Sequence, residues 1–184
     1  MRVNKSFSIT SLILAIISFF AAAVLTVEKI ASLKNPTYVP SCNLSPFISC
    51  GPVMNSAQAS AFGIPNSIVG MVGFGLIILI MFTSLFVQLP RWYWVAYTLG
   101  IVLASSFIVW LMVQALLVIS SLCIYCMIVW ACMILLIWLA IANITKDTKL
   151  HIIYEFRFLL IGLSYIAIIS CIFFRFQDYW LSLL

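Results

Sequence analysis

Charge is what this sequence has least of: four acidic residues, nine Lys and Arg and a single histidine in 184 residues. Charged residues make up 7% of the chain and hydrophobic ones 66%, whereas about a quarter of an ordinary soluble domain is charged. That scarcity excludes a water-soluble globule. No polar stretch of domain size separates the apolar runs, so no soluble domain fits between them. The basic residues form no patch with interleaved aromatics; they stand singly at the ends of apolar runs, which excludes a nucleic-acid surface and reads instead as membrane topology. Because the one histidine, His151, lies far from the cysteine pairs, a mixed Cys/His zinc site is excluded as well. No internal repeat is visible, which leaves an inverted-repeat transporter unsupported.

What the chain has in abundance is apolar runs of bilayer length. Five are bounded by charge, Pro or polar clusters, at approximately 7–27, 67–87, 92–119, 124–144 and 158–176, each near the roughly 20 residues that cross the hydrocarbon core. The expected fold is therefore an all-α integral membrane protein, with residues 1–184 as one membrane domain. The first run is longer than a secretory signal core and lacks a small-residue cleavage site, so it reads as a span. With the N-terminus inside, Arg2, Lys5, Arg91, Lys146, Lys149 and Arg157 are cytoplasmic and only Lys29, Lys34 and Arg175 lie outside, the sense the positive-inside rule favours. Trp92, Tyr93 and Trp94 at one boundary and Tyr179 and Trp180 at the other fit interfacial belts. Gly70, Gly73 and Gly75 in the second run suggest a face on which helices approach closely.

This orientation places a long loop, 28–66, on the same outer face as the short connection before the fourth run. Both carry paired cysteines: Cys42 and Cys50 in the loop, Cys123 and Cys126 at the start of the run. Two pairs on the oxidising side are what electron passage by successive thiol–disulfide exchange requires. Cys123-Ile124-Tyr125-Cys126 is a C-x-x-C at a helix start, where unsatisfied N–H groups favour thiolate. Its i, i+3 spacing puts both sulfurs on one face, with Cys126 expected toward the hydrocarbon edge and Cys123 toward water. Taken alone, the motif also fits a structural disulfide or half of a metal site, and the loop pair also fits a simple staple. Cys132 and Cys171, inside spans, read as small apolar packing residues, and His151 as a solvated loop residue.

The pattern resembles the vitamin K epoxide reductase family across approximately residues 7–144. The resemblance rests on the C-x7-C of Cys42 and Cys50, the Gly63-Ile64-Pro65-Asn66-Ser67 stretch opening the second run and Cys123-x-x-Cys126 opening the fourth. DsbB proteins do similar chemistry in a four-helix bundle, but with the two cysteine pairs in the reverse order. Membership implies a four-helix transmembrane bundle, capped by a short helix within 51–62 and followed here by a fifth C-terminal helix. It implies a quinone (ubiquinone, menaquinone or a related one) at the outer end of the bundle, with Cys126 facing it. By the same resemblance Cys50 forms the mixed disulfide with Cys123, and Cys42 exchanges with a thioredoxin-like partner. Asn66 falls where the family places an amide donating to a quinone carbonyl, a role that suits a carbonyl gaining negative charge; helix capping after Pro65 is the alternative. Ser56 corresponds to a family serine near the redox centre, or acts as a helix N-cap. Trp130 stands where the animal enzymes have tyrosine, keeping an aromatic wall but losing a hydroxyl, which argues against epoxide chemistry.

The implied activity is disulfide formation for exported proteins in a bacterial inner membrane, with electrons passed to quinone. Many bacterial relatives continue into a fused thioredoxin-like domain. Since no domain-sized segment follows Phe176, the expected partner is a separate, DsbA-like protein. Two rivals are a quinone or quinone-epoxide reductase running the opposite way, and a carrier using four outer thiolates for a soft metal.

Overall fold

A computed structural model describes residues 3–35, 37–43, 45, 47–146 and 148–177. Arg2, Tyr179 and Trp180, used above for topology and belt, lie outside the described residues. The described chain is helical, with one isolated parallel bridge, Ile48 to Leu122, and no strand among the described residues.

Among the described residues, five helices are long and apolar enough to cross a membrane. The first, α1, spans Lys5–Lys34; its N-terminus is capped by Asn4, whose side chain accepts from the Ser6 N–H at 3.1 Å. It continues seven residues past the expected end at 27, because the polar residues beyond Val27 still favour helix and Glu28 and Lys29 find partners there. A short α2, Cys50–Asn55, and a 3-10 turn, Ala57–Ser60, follow in the loop. Then come α3, Asn66–Phe86, and α4, Arg91–Val113, which runs on through a π-helical turn at Gln114–Ile119. After α5, Ile124–Thr145, a single helical turn, α6 at His151–Glu155, leads to α7, Arg157–Arg175. At 1.5 Å per residue, a helix the length of α3 reaches roughly 30 Å, the thickness of the hydrocarbon core.

The helix with most neighbours is α5, on which α1, α4 and α7 all pack; α1 also packs along α3. Since lipid tails are as apolar as leucine, burial from water does not hold such helices together; close packing does. The residues that permit it are Ser8, Ser11, Ala15, Ser18 and Ala22, all buried. They recur at alternating intervals of three and four, forming a seam of small side chains along α1. The expected small-residue face on α3 is thus only partly realised. A Cβ on Gly70 would touch Ala22 and one on Gly75 would touch Phe19, but one on Gly73 would meet nothing within 4 Å.

Other expectations change for related reasons. Trp94 is buried against Phe7 and Tyr97 and belongs to the core, leaving Trp92 exposed at that boundary. Cys132 is buried in the same core, but Cys171 faces outward from α7. His151 opens α6 and pairs with Glu155 at 3.4 Å, so it is helical.

Candidate active site

The four cysteines meet at one end of the bundle. Cys42 and Cys50 form a disulfide, while Cys123 and Cys126 are free thiols. Across the two pairs, the Cys50 and Cys123 sulfurs lie 3.2 Å apart, within the range of reacting atoms poised for attack.

Backbone pairing between the loop and the α4–α5 connection produces that approach. Leu122 N–H donates to the Phe47 carbonyl at 2.7 Å, and Ser49 N–H donates to the Leu122 carbonyl at 2.9 Å. Ser121 Oγ donates to the Ser49 carbonyl at 3.0 Å. Each half of this bridge ends one residue from Cys50 or Cys123, so the register of the bridge sets the register of the sulfurs. The Asn43 side chain adds a brace, accepting from Ser49 Oγ at 2.8 Å and from the Gly51 N–H at 3.3 Å.

The bridge also corrects an expectation. Cys123 does not face water: the loop lies over it and leaves it 1% exposed, with Cys50 at 0% and Cys42 at 3%. Cys123 is the N-cap of α5. Its thiol is held below the usual range, first by the hydrogen bond with the Cys126 thiol and then by the N–H groups of Cys126 and Tyr125, against burial acting the other way. Donors aimed at a sulfur favour its anion.

Cys126, one turn further, lines a cavity of about 720 Å³ walled chiefly by apolar side chains. This volume is in the range of small-molecule sites, which are typically apolar with a few placed polar groups. Trp130, buried and one turn beyond Cys126, forms part of the wall. Asn66 also lines it, but its amide is partly engaged: Nδ2 donates to the Gln58 carbonyl at 2.7 Å and Oδ1 accepts from the Ala61 N–H at 3.2 Å. Asn66 therefore ties the 3-10 turn to the start of α3 and keeps one of its two amide protons for another acceptor. Ser56, also in the wall, caps the 3-10 turn by accepting from the Ala59 N–H at 3.2 Å and donates to the Val53 carbonyl at 2.9 Å.

The cavity continues as a trough between α3 and α4, from Asn66 and Gln114 at the cysteine end to Ile80 and Trp92. Gly73 and Gly100 line it, and a Cβ on either meets nothing within 4 Å. Read along α3, from Asn66 to Ile80, the trough is roughly 20 Å long.

The family description "Vitamin K epoxide reductase family" matches residues 9–141. The chain belongs to the vitamin K epoxide reductase family. The match takes in α1 through most of α5 and all four clustered cysteines, while α7 lies beyond it. No protein with a curated description matches the chain. As a vitamin K epoxide reductase family member with five spans, this is a multi-pass membrane protein, and the family implies oxidoreductase activity of the thiol–disulfide kind.

Sequence reasoning missed several residues around this family site. Gln114 is a lone amide in an apolar run, a pattern that by itself marks a functional candidate. Arg175 is a cation at a span end, where membrane topology accounts for it, and Glu28 is the first residue of the loop 28–66. Ser49, Ser121 and Leu122 carried no signal, because their role exists only once the loop and connection pair.

Proposed function

We propose that this protein forms disulfides for exported proteins, reoxidising a separate thioredoxin-like, DsbA-like partner and passing the electrons to a membrane quinone. The observation that carries the reading is the 3.2 Å approach of Cys50 and Cys123 beside a Cys126 that opens on a long apolar cavity. The chain acts as one membrane domain with its redox loop, 28–66, outside. Lys5, Arg91, Lys146, Lys149 and Arg157 favour a cytoplasmic N-terminus in a bacterial inner membrane and an external C-terminus.

In the mechanism, a partner thiolate attacks Cys42 and Cys50 leaves as thiolate. Cys50 then attacks Cys123 of a Cys123–Cys126 disulfide, joining Cys50 to Cys123 and releasing the Cys126 thiolate. The partner's second thiol displaces Cys42 and departs oxidised. Cys42 next attacks Cys50, which restores Cys42–Cys50 and leaves Cys123 and Cys126 reduced. Two electrons have moved inward, and the pairing is that of the structure: loop disulfide closed, inner pair free. Quinone supplies a two-electron, two-proton acceptor. The cavity suits it: apolar walls for a ring and isoprenoid tail, Trp130 as an aromatic face, and the remaining Asn66 amide proton for a carbonyl, with Ser56 in the same wall. Because Cys42 is 3% exposed, partner attack requires the loop to lift.

Two rivals differ in what they ask of the same groups. A reductase runs the exchanges backwards. A soft-metal carrier needs several thiolates together, yet two of the four are consumed in the loop disulfide.

The test is oxidation of a reduced DsbA-like protein by the purified membrane protein, comparing wild type with Cys126→Ala. Oxidation needing both quinone and Cys126 supports the relay and its direction. No oxidation with any quinone sinks the disulfide-forming assignment.

A further inference from the structure

Arg175 closes α7, outside the residues that match the family, yet its guanidinium reaches the connection that carries Cys123. Nε donates to the Leu116 carbonyl at 2.7 Å, and Nη2 donates to Ser120 Oγ. Leu116 belongs to the last, π-helical turn of the α4 span, where helix-end carbonyls lack intrahelical partners. Ser120 follows it with φ 55°, a left-handed conformation that costs a non-glycine residue free energy unless its surroundings hold it. A planar guanidinium suits this place, because its fixed fork can hold a carbonyl and a hydroxyl at once.

The next residue, Phe176, is buried and packs on Phe47 of the redox loop, with ring centroids 5.4 Å apart. The end of α7 therefore touches both sides of the backbone bridge. Arg175 holds the Ser120 turn, from which Ser121 and Leu122 bond to the loop; Phe176 holds Phe47, which accepts from Leu122. From Ser120 to Cys123 is three residues, and from Phe47 to Cys50 is also three. Nothing else among the described hydrogen bonds ties the Ser120 side chain to the bundle.

We propose that Arg175 is a positioning residue for the exchange between Cys50 and Cys123: from the fifth helix it holds the Ser120 turn in the register that brings those sulfurs together. The inference rests on the reading of Cys50 and Cys123 as exchange partners, and it is independent of which acceptor lies in the cavity. Displacements of about 1 Å from an attack geometry can cost on the order of 100-fold in rate, so a loosened turn has a measurable effect.

The experiment uses full-length protein carrying Cys42→Ala and Cys126→Ala. Diamide takes two electrons and two protons from the Cys50 and Cys123 thiols as their disulfide forms, and acid-quenched samples are mapped by mass spectrometry. The control is closure of Cys42–Cys50 in a Cys123→Ala, Cys126→Ala background. Arg175→Gln is expected to slow Cys50–Cys123 formation tenfold or more and leave Cys42–Cys50 closure unchanged, with Arg175→Lys between. Equal rates in wild-type and Arg175→Gln backgrounds overturn the proposal, and so does equal slowing of both disulfides, which marks general damage to the loop. If Cys50 and Cys123 fail to join even with Arg175 intact, the exchange reading itself falls and this inference falls with it.

Discussion

Tyr38 donates its phenol hydroxyl to the Glu28 carboxylate at 2.9 Å, tying the stem of the redox loop to the end of α1. Ser41, next to Cys42, donates to the same carboxylate through its hydroxyl at 2.5 Å and through its N–H at 3.4 Å. The bond to Glu28 also raises the Tyr38 phenol above its ordinary range, keeping it a donor. A rigid helix thus holds the strand of loop that leads to a buried Cys42, while the opposite side of the loop is held by the bridge to Leu122.

Removing this latch is expected to expose Cys42. Glu28→Ala removes three hydrogen bonds to the stem of the loop and Tyr38→Phe only one of them, which sets the order of the two effects. Glu28→Ala should therefore speed reduction of Cys42–Cys50 by glutathione severalfold, with Tyr38→Phe giving a smaller gain. Time courses of free-thiol labelling measure it. Equal rates in wild type and both variants would show that the loop opens by another route.

Trapping follows from the exchange geometry. In a Cys126→Ala variant, Cys123 can attack Cys50 but has no inner partner to resolve the product, so a Cys50–Cys123 disulfide should accumulate with Cys42 left free. Peptide mapping under non-reducing conditions identifies it. Finding only Cys42–Cys50 after prolonged equilibration with a thiol buffer would contradict the proposed sequence of steps.

The Cys123 thiol provides a pH test. Because the hydrogen bond from Cys126 favours the Cys123 thiolate, that thiolate persists to lower pH than in a free cysteine. With Cys42 and Cys50 both replaced by Ala, which removes the loop disulfide that closes over it, its alkylation by iodoacetamide should lose rate only below the lowered value. Replacing Cys126 with Ala in that background, where no loop disulfide can capture Cys123, removes the largest favourable contact and leaves burial opposed only by the backbone N–H groups of residues 125 and 126, so the midpoint moves upward and alkylation at neutral pH slows. An unchanged profile would mean that the neighbouring thiol does not set Cys123 reactivity.

The trough predicts a separation of functions. Gly73 and Gly100 face open space, so Gly100→Leu fills the trough without displacing a packed neighbour and should leave thermal stability in detergent within about 1 kcal/mol. Quinone KM should rise about tenfold, while closure of the loop disulfide is unaffected, since one well-placed obstruction in an apolar site costs roughly 1–3 kcal/mol. A KM equal to wild type would place the quinone tail elsewhere.

Hydrophobicity, charge position and cysteine spacing are local properties, and the sequence by itself determined what depends on them. Each apolar run must satisfy its backbone internally in lipid, so each becomes a helix, and five spans follow whatever their mutual packing. The order of the two cysteine pairs likewise named the family before any contact was known. Non-local packing decided the rest. The seam that lets helices close up lies on Ser8, Ser11, Ala15, Ser18 and Ala22 of α1, whereas Gly73 of α3 borders open space, because a small residue matters only according to what stands opposite it. Cys123 is buried, not water-facing, because a loop distant in sequence pairs its backbone with Leu122. Arg175 looked like a topology charge and Glu28 was only the first residue of the loop, and only the folded chain reveals that Glu28 holds the stem of the loop and Arg175 the turn that leads to Cys123.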